Sequence, residues 1–323
     1  MKLLKLIPDN TNIHFLRWRV PFYTVSILLM AASIALVAFK GLNLGVDFVG
    51  GQMIRITFTE TAEAPVAELR ESVDALGFGE PIIQQMGQPN QIAVRMKLPE
   101  DGEAGLADSM TRQIVSAIEK GHPDARIDGV ESVSGKVSGE LFQTGMMALI
   151  LAMIGISIYI WVRFEWQFGV GALFALVHDV TLTMGLFALT QLEFDLNIVA
   201  ALLTLIGYSL NDNIVVYDRV RENMKKYRRM PLPELLDLSV NETLSRTVVT
   251  SLSLLITLLS LLLLGPDVIF GFTAAITLGI FVGTYSSIFM ATPILIWLGV
   301  DSNSFVQTES KLDAQERKAR GTV

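Results

Sequence analysis

Long apolar segments are the feature of this sequence that most constrains its fold. The chain has 323 residues, of which 51% are hydrophobic, and its mean hydropathy is +0.48. A helix crosses the hydrocarbon core of a bilayer with about 20 apolar residues. Segments of this kind cover residues 20–39, 141–162, 168–192, 196–217, 247–264 and 270–298. The sequence therefore predicts an α-helical polytopic membrane protein with six transmembrane helices, the first of them retained rather than cleaved as a signal peptide.

Residues 40–140 differ from the rest of the chain because charged residues are frequent and apolar residues are spaced as in a soluble fold. Alternating patterns predict strands, and patterns with a 3.6-residue period predict helices. The predicted elements are strand 52–59, helix 64–76, strand 82–86, strand 92–98, helix 106–119 and strand 126–133. This β-α-β-β-α-β order predicts one exterior α+β domain of the ferredoxin-like type between the first and second transmembrane helices.

The distribution of Lys and Arg predicts the orientation in the membrane. The short turns at 191–195 and 265–267 contain neither residue, whereas the segments at the other ends of the spans are basic. By the positive-inside rule, both termini are cytosolic and the exterior domain is periplasmic. The predicted divisions are a cytosolic segment 1–19, the first helix 20–39, the periplasmic domain 40–140, helices two to six within 141–298, and a cytosolic tail 299–323. A polar connector is predicted over 219–246.

Several classes of function lack their sequence signals. There is no cysteine, and the three histidines show no metal-ligand spacing. We find no P-loop, zinc motif or G-x-S-x-G element. The G-x-G-D motif of intramembrane aspartyl proteases is absent around both Asp179 and Asp212. We therefore expect no enzyme activity, no cofactor and no metal.

Asp212 is the principal candidate site residue. It lies inside an apolar span, where an ionisable side chain is costly and indicates a function. Arg246 is the last charged residue before the fifth span. Antiparallel neighbouring helices would bring the two to similar depth, where burial disfavours the carboxylate and the guanidinium favours it. The pair is expected to form a proton relay, and a static ion pair that fixes helix packing is the alternative.

Other polar residues surround these two in the sequence. Tyr208 lies on the same helix face as Asp212, and Asn211 and Asn213 flank it. Thr247 belongs to a polar face of the fifth span that also includes Thr243, Arg246, Thr250 and Ser251. This face is expected either to support proton transfer or to let helices approach closely.

Two further features carry open alternatives. His178 and Asp179 lie in the third span and are a candidate second relay, although adjacent residues point about 100° apart on a helix and need not act together. The glycine-rich segment with Gly45, Asp47, Gly50 and Gly51 follows the first span. Glycines permit unusual backbone angles there, so the segment is either a structural joint, which we favour, or a hinge.

Several motifs together carry a family resemblance. They are GVDFVGG at 45–51, RFEW at 163–166, His178-Asp179, GYSLNDNIVVYDR at 207–219, RTVVTS at 246–251 and GTYSSI at 283–288. The chain resembles the SecF type of the SecD/SecF family, within the resistance-nodulation-division superfamily. The resemblance implies six spans and one exterior domain in the bacterial cytoplasmic (inner) membrane. It also assigns the family's functional aspartate and arginine to Asp212 and Arg246.

The resemblance further implies a function and partners. The chain would pair with SecD and associate with the SecYEG channel, with YajC, with translocating preproteins and with membrane lipid, but not with nucleic acid. The unit would use the proton-motive force to help draw preproteins outward. One alternative is a proton-coupled exporter of small molecules or lipids, as elsewhere in the superfamily. Another is a passive assembly subunit in which Asp212 is structural.

Overall fold

The structure, a computed structural model, describes residues 8, 11–79, 81–86, 88–97 and 106–300. Six spans in this part of the chain are long and apolar enough to cross a membrane, which confirms the predicted architecture. They consist of α1 Arg19–Phe39, α5 Gly135–Arg163, α6 Trp166–Thr190, α7 Leu196–Lys226, α8 Leu232–Leu264, and a sixth span containing α9 Phe270–Ser286 and α10 Ile294–Trp297. The predictions for residues 1–7 and 301–323 lie outside the described residues.

The polar connector predicted over 219–246 is wrong for most of its length. Helix α7 continues to Lys226, and α8 already begins at Leu232. The charged residues there are compatible with helix because they pair with each other. Arg219 contacts Glu222 at 2.6 Å and Glu242, on α8, at 2.7 Å. The two helices therefore extend past the predicted spans, and only residues 227–231 connect them.

The exterior domain has the predicted ferredoxin-like order. Its elements are α2 Val46–Val49, β1 Gly51–Phe58, α3 Val66–Asp74, β2 Ile82–Gln85, β3 Gln91–Met96, α4 Leu106–Gly121 and β4 Ala125–Val133. The strands form one antiparallel sheet in the order β2-β3-β1-β4. Alternate residues of β1, such as Ile54 and Ile56, pack with Leu69 of α3 and Ile114 of α4 in one buried cluster. The period-2 pattern thus places one sheet face against the two helices.

A tight glycine joint connects the first span to this sheet. Gly50 and Gly51 have φ angles of 73° and 118°, which L side chains rarely adopt. A Cβ atom on Gly51 would lie 2.4 Å from the backbone oxygen of Met96 on the neighbouring strand. Glycine is therefore required where the chain turns from α2 into β1.

The same joint is attached to the turn between α6 and α7. The amide of Gly45 donates to the carbonyl of Phe194 at 2.9 Å, and the amide of Leu196 donates to Oδ2 of Asp47 at 3.0 Å. These bonds fix the joint to the membrane domain at the exterior ends of the helices.

An ion pair adds to this attachment. Arg95 on β3 contacts Glu193 at 2.9 Å and donates to the carbonyl of Leu44 at 2.8 Å. Burial raises the pKa of Glu193 above its ordinary value, and the Arg95 charge opposes this shift. The largely buried carboxylate of Glu193 therefore links the 191–195 turn to the exterior domain.

The sixth span is interrupted, which the sequence pattern over 270–298 did not predict. A π-helical turn, Ser287–Ala291, follows α9 and precedes Pro293. Proline has no amide hydrogen, and the π-helical turn departs from regular α-helical pairing, so carbonyls in this segment need other donors. The hydroxyl of Tyr23 on α1 donates to the carbonyl of Met290 at 2.5 Å. Side chains from neighbouring helices thereby satisfy the broken backbone, as buried non-helical segments require.

Candidate functional site

Asp212 lies on the buried face of α7. Its exposed fraction is 4%, and its Oδ2 atom has no hydrogen-bond partner within the described part of the chain. A buried carboxylate that lacks a bonding partner is energetically costly. The helical period puts Asp212 on the same face as Ser209 and Val216, which are also buried.

Arg246 lies at a matching depth on α8. Asp212 is 14 residues before Lys226, where α7 ends, and Arg246 is 14 residues after Leu232, where α8 begins. Both are therefore about 21 Å along their helices from the connector. Arg246 is exposed, and among the described residues it forms no ion pair with Asp212 within 4.0 Å.

The other predicted residues near Asp212 divide into two groups. Asn213 and Thr247 are buried, and their side-chain polar atoms have no hydrogen-bond partner within the described residues. Asn211 is exposed on α7, about 100° around the helix from the carboxyl. The buried members add unpaired polar atoms to the environment of Asp212.

Tyr208 takes part in a chain of hydroxyl groups that joins three helices. Its hydroxyl lies 3.1 Å from Oγ of Ser251 on α8, which lies 2.7 Å from Oγ1 of Thr284 on α9. The polar face of α8 therefore contributes to helix packing here. Whether it also supports proton transfer stays a prediction.

His178 and Asp179 belong to a fully buried cluster of hydrogen-bonded side chains in the membrane domain. Nδ1 of His178 lies 2.9 Å from Oδ1 of Asp179, so these adjacent residues do contact each other. Ser209 of α7 donates to Oδ2 at 2.6 Å, and Ser286 at the end of α9 donates to the same oxygen at 2.9 Å. All four side chains are fully buried. We refer to these four residues as the Asp179 cluster.

Sequence reasoning missed the roles of Ser209 and Ser286. Ser209 lies one helical turn before Asp212, and this spacing indicates that the two share a helix face. The spacing does not indicate that Ser209 bonds Asp179. Ser286 follows Gly283, whose added Cβ atom would lie 3.5 Å from Oδ2 of Asp179. A small residue beside a serine in an apolar helix permits close approach, but spacing alone does not identify which helix approaches.

The glycine joint lies apart from these carboxylates. Gly45, Asp47, Gly50 and Gly51 are at the exterior end of the helices, where they connect the sheet to the 191–195 turn. The contacts are those expected of a structural joint, and a hinge role stays a prediction. No group of three or more His, Cys, Asp or Glu residues that could hold a metal ion occurs in the described residues. Carboxyl and imidazole side chains can exchange protons, and a proton relay at these residues stays a prediction.

The sequence matches two family models. "Protein export membrane protein SecD/SecF, C-terminal" matches residues 113–301, and "SecD/SecF GG Motif" matches residues 35–62. The second range contains the glycine joint. The first contains Asp212, Arg246 and the Asp179 cluster.

Individual relatives are similar over most of the chain. A protein translocase subunit SecF of Rhodobacter capsulatus is 45% identical over 311 residues, which cover 93% of each chain. A SecF subunit of Vibrio alginolyticus is 38% identical over 97% of this chain and 98% of its own. The solved structure of SecDF from Thermus thermophilus, described as a translocon-associated membrane protein, is 34% identical over 91% of this chain, with a TM-score of 0.82.

SecDF in a super-membrane-facing form gives a TM-score of 0.65 at the same 34% identity, over 96% of this chain. This chain spans only 39% and 40% of the two SecDF chains. The family models match through the residues that build the joint and the buried carboxylates, and the SecF relatives cover more than nine-tenths of the chain. The chain belongs to the SecD/SecF family of protein-export membrane proteins.

Proposed function

We propose that this chain is the SecF-type subunit that, together with SecD, uses the proton-motive force to assist preprotein translocation through SecYEG. It would act in the bacterial cytoplasmic membrane as a non-enzymatic subunit without a cofactor. The observation that carries the proposal is the Asp212 carboxyl, which is 4% exposed and has an oxygen without a hydrogen-bond partner among the described residues. A static structural carboxylate would be expected to have its bonds satisfied.

Asp212 would work by alternating between its charged and neutral forms. Burial disfavours the carboxylate, while the nearby Arg246 charge favours it. Because these effects oppose each other, a small movement of α7 relative to α8 would change which form is more stable. Proton uptake and release could then be coupled to helix movement, and through the glycine joint to the exterior domain.

A stripe of exposed polar residues on the surface of the membrane domain supports the proposal that a partner subunit binds there. It consists of Thr204, Gly207 and Asn211 on α7 and Arg246 and Thr250 on α8, and all five are exposed. An arginine in the membrane normally faces protein or a water-filled cavity rather than lipid. The matched SecDF chains are more than twice as long as this one. We propose that SecD covers the stripe, and that YajC and lipid contact other faces.

The orientation is part of the proposal. The basic residues near the spans, including Arg163, Arg219 and Arg221, lie at the ends of the helices opposite the exterior domain. This bias favours a cytosolic location for both termini and a periplasmic location for the exterior domain. A protease added to the periplasmic face should then cut within the exterior domain, whereas cleavage there from the cytosolic face would contradict the orientation.

The central test is Asp212→Asn. This change keeps the size of the side chain but removes its ability to ionise, so it should abolish the force-dependent stimulation of preprotein translocation in vesicles that contain normal amounts of the complex. Asp218→Asn is the matched control, because Asp218 is on the same helix but is more than half exposed in an ion pair with Arg163. Asp218→Asn should retain the stimulation.

Arg246→Met provides a second variant. It removes the counter-charge, so the neutral form of Asp212 should predominate and stimulation should again be lost. If Asp212→Asn retained full force-dependent stimulation, the carboxyl would have a structural role and the chain would be a passive assembly subunit.

A further inference from the structure

The hydrogen bonds of the Asp179 cluster fit an ionised Asp179 beside a neutral His178. Two serine hydroxyls donate to Oδ2 of Asp179, which is the arrangement expected for an ionised carboxylate that only accepts. The remaining oxygen, Oδ1, lies 2.9 Å from Nδ1 of His178, and an ionised Asp179 would accept a hydrogen bond from that nitrogen. With its hydrogen on Nδ1, a neutral imidazole carries a lone pair on Nε2.

Nε2 of His178 is the unusual atom of the cluster. The side chain is fully buried, and Nε2 has no hydrogen-bond partner within the described residues. A buried polar atom without a partner is costly in a structural role. In a proton-binding role it is the expected acceptor, because the neighbouring carboxylate would neutralise the imidazolium that forms. Proton uptake at Nε2 changes the buried pair from a net charge of −1 to zero, so the proton-loaded form carries no buried net charge.

The cluster lies at the middle of α6, on the exterior side of Asp212. His178 is 12 residues from each end of α6, or about 18 Å along the helix axis. Ser209, which bonds Asp179, precedes Asp212 on α7 by one helical turn. Helix α7 begins at its exterior end, so Asp179 meets α7 about 4.5 Å outward of Asp212.

Few other ionisable groups lie on the helices around the cluster. His178 and Asp179 are therefore its main proton-exchanging groups. Tyr285 of α9 has its ring centroid 6.1 Å from that of His178. Helix α7 contributes Asp212, Tyr208 and Tyr217, and α1 contributes Tyr23. Between Glu140 and Tyr159, α5 has no ionisable side chain. Tyrosine hydroxyls stay protonated near neutral pH, so Asp212 is the nearest further candidate for exchange.

We propose that His178 and Asp179 form a second proton-binding site of the membrane domain, in which Nε2 of His178 takes up the proton and Asp179 neutralises the imidazolium. The site lies one helical turn to the exterior side of Asp212. The proposal that this site supplies protons to Asp212 rests on the function proposed above. The proposal that the site binds a proton does not depend on that function.

Nitrogen-15 NMR of the histidine-labelled complex with SecD in lipid vesicles tests proton binding directly. The signal of His178 is the one lost in a His178→Gln variant. We expect this signal to change from neutral imidazole to imidazolium when the pH is lowered. Asp179→Asn should abolish the change, because the imidazolium would lose its counter-charge. Asp218→Asn, which alters an exposed carboxylate, should leave the change intact.

A His178 signal that stays neutral, or stays charged, at every pH at which the complex remains assembled would overturn the proposal. This outcome is decided on the unaltered complex even if Asp179→Asn fails to assemble. In Asp179→Asn that does assemble, an unchanged titration would overturn the role given to Asp179.

The translocation assay separates the two proposals. If His178 titrates but Asp212→Asn retains full stimulation, the second proton-binding site stands and the proposed function fails. If Asp212→Asn loses stimulation but His178 does not titrate, only the present inference fails. His178→Gln should lose force-dependent stimulation if the site supplies protons, and unchanged stimulation would contradict that supply.

Discussion

The hydroxyl of Tyr217 on α7 donates a hydrogen bond of 2.9 Å to the carbonyl oxygen of Ala291 in the π-helical turn. Tyr217 is 1% exposed and Ala291 is fully buried. The bond connects the helix that carries Asp212 to the interrupted part of the sixth span. A continuous α-helix would bond this carbonyl to the amide of Leu295, but that amide donates to the carbonyl of Thr292 at 3.3 Å instead.

Tyr217→Phe should destabilise the membrane domain by about 1–3 kcal/mol, because the buried carbonyl of Ala291 would lose its donor. The measurement is thermal unfolding of the purified complex in detergent. Tyr159→Phe is the control, since Tyr159 is 51% exposed on α5 and its change should have little effect. An equal stability for both variants would show that the Tyr217 bond does not stabilise the turn.

Gly171→Ala should also destabilise this region. A Cβ atom at Gly171 would lie 2.4 Å from the Tyr217 hydroxyl and 3.2 Å from the backbone oxygen of Ala291. We expect a loss of about 1–3 kcal/mol from overpacking. Gly169→Ala on the same helix is the matched control, because its nearest contact would be an ordinary 3.9 Å to Ile160. Unfolding temperatures of the two variants that did not differ would contradict the close packing of α6 against the turn.

Gly51→Ala should destabilise the exterior domain. The residue has a φ angle of 118°, and its added Cβ would meet the Met96 oxygen at 2.4 Å, so both backbone strain and a backbone clash result. Strain of this kind costs about 1–3 kcal/mol. Gly129→Ala, on β4, would meet no atom within 4 Å and serves as the control. Limited proteolysis should cut the exterior domain faster in Gly51→Ala only, and equal rates would be evidence against a strained joint.

The Glu193 carboxyl should make stability depend on pH. Its folded-state pKa is raised above the ordinary value of 4.5, first because of burial and despite the opposing charge of Arg95. The folded state then binds the proton more tightly than the unfolded state. The resulting stabilisation is full below pH 4.5 and is lost as the pH rises through the raised pKa.

Glu193→Gln removes this titration, so the unfolding temperature of the unaltered protein relative to this variant should fall as pH rises above 4.5. Glu140→Gln, which changes an exposed carboxylate, should not alter the trend. A difference between the unaltered protein and Glu193→Gln that stayed constant with pH, or that grew as pH rose, would contradict the assignment to Glu193.

The arrangement of spans and the order of the exterior elements followed from the sequence because each rests on local patterns. Twenty apolar residues span a bilayer wherever they occur, and the period of a strand differs from that of a helix. The connector was wrong because charged residues indicated a loop. In the structure, Arg219 pairs with Glu242 on the neighbouring helix, and no local pattern reveals such a partner.

The candidate sites also differ in how far local sequence patterns could identify them. Asp212 was identifiable because a carboxylate in an apolar span is unusual by itself. The Asp179 cluster was not, because its geometry requires side chains from α6, α7 and α9 to meet. Nor did the apolar run over 270–298 indicate where the π-helical turn begins. The carbonyls of this turn accept hydrogen bonds from the hydroxyls of Tyr23 and Tyr217, which lie on other helices.

The equal spacing of Asp212 and Arg246 from the connector has a consequence for how the chain can vary in length. One residue inserted between Asp212 and Lys226 would turn the carboxyl by about 100° and shift it by about 1.5 Å relative to the connector. The same insertion within residues 227–231 would leave both helices in place. Insertions and deletions are therefore tolerable in this short loop. The helical segments that join the loop to Asp212 and to Arg246 must instead keep a fixed length.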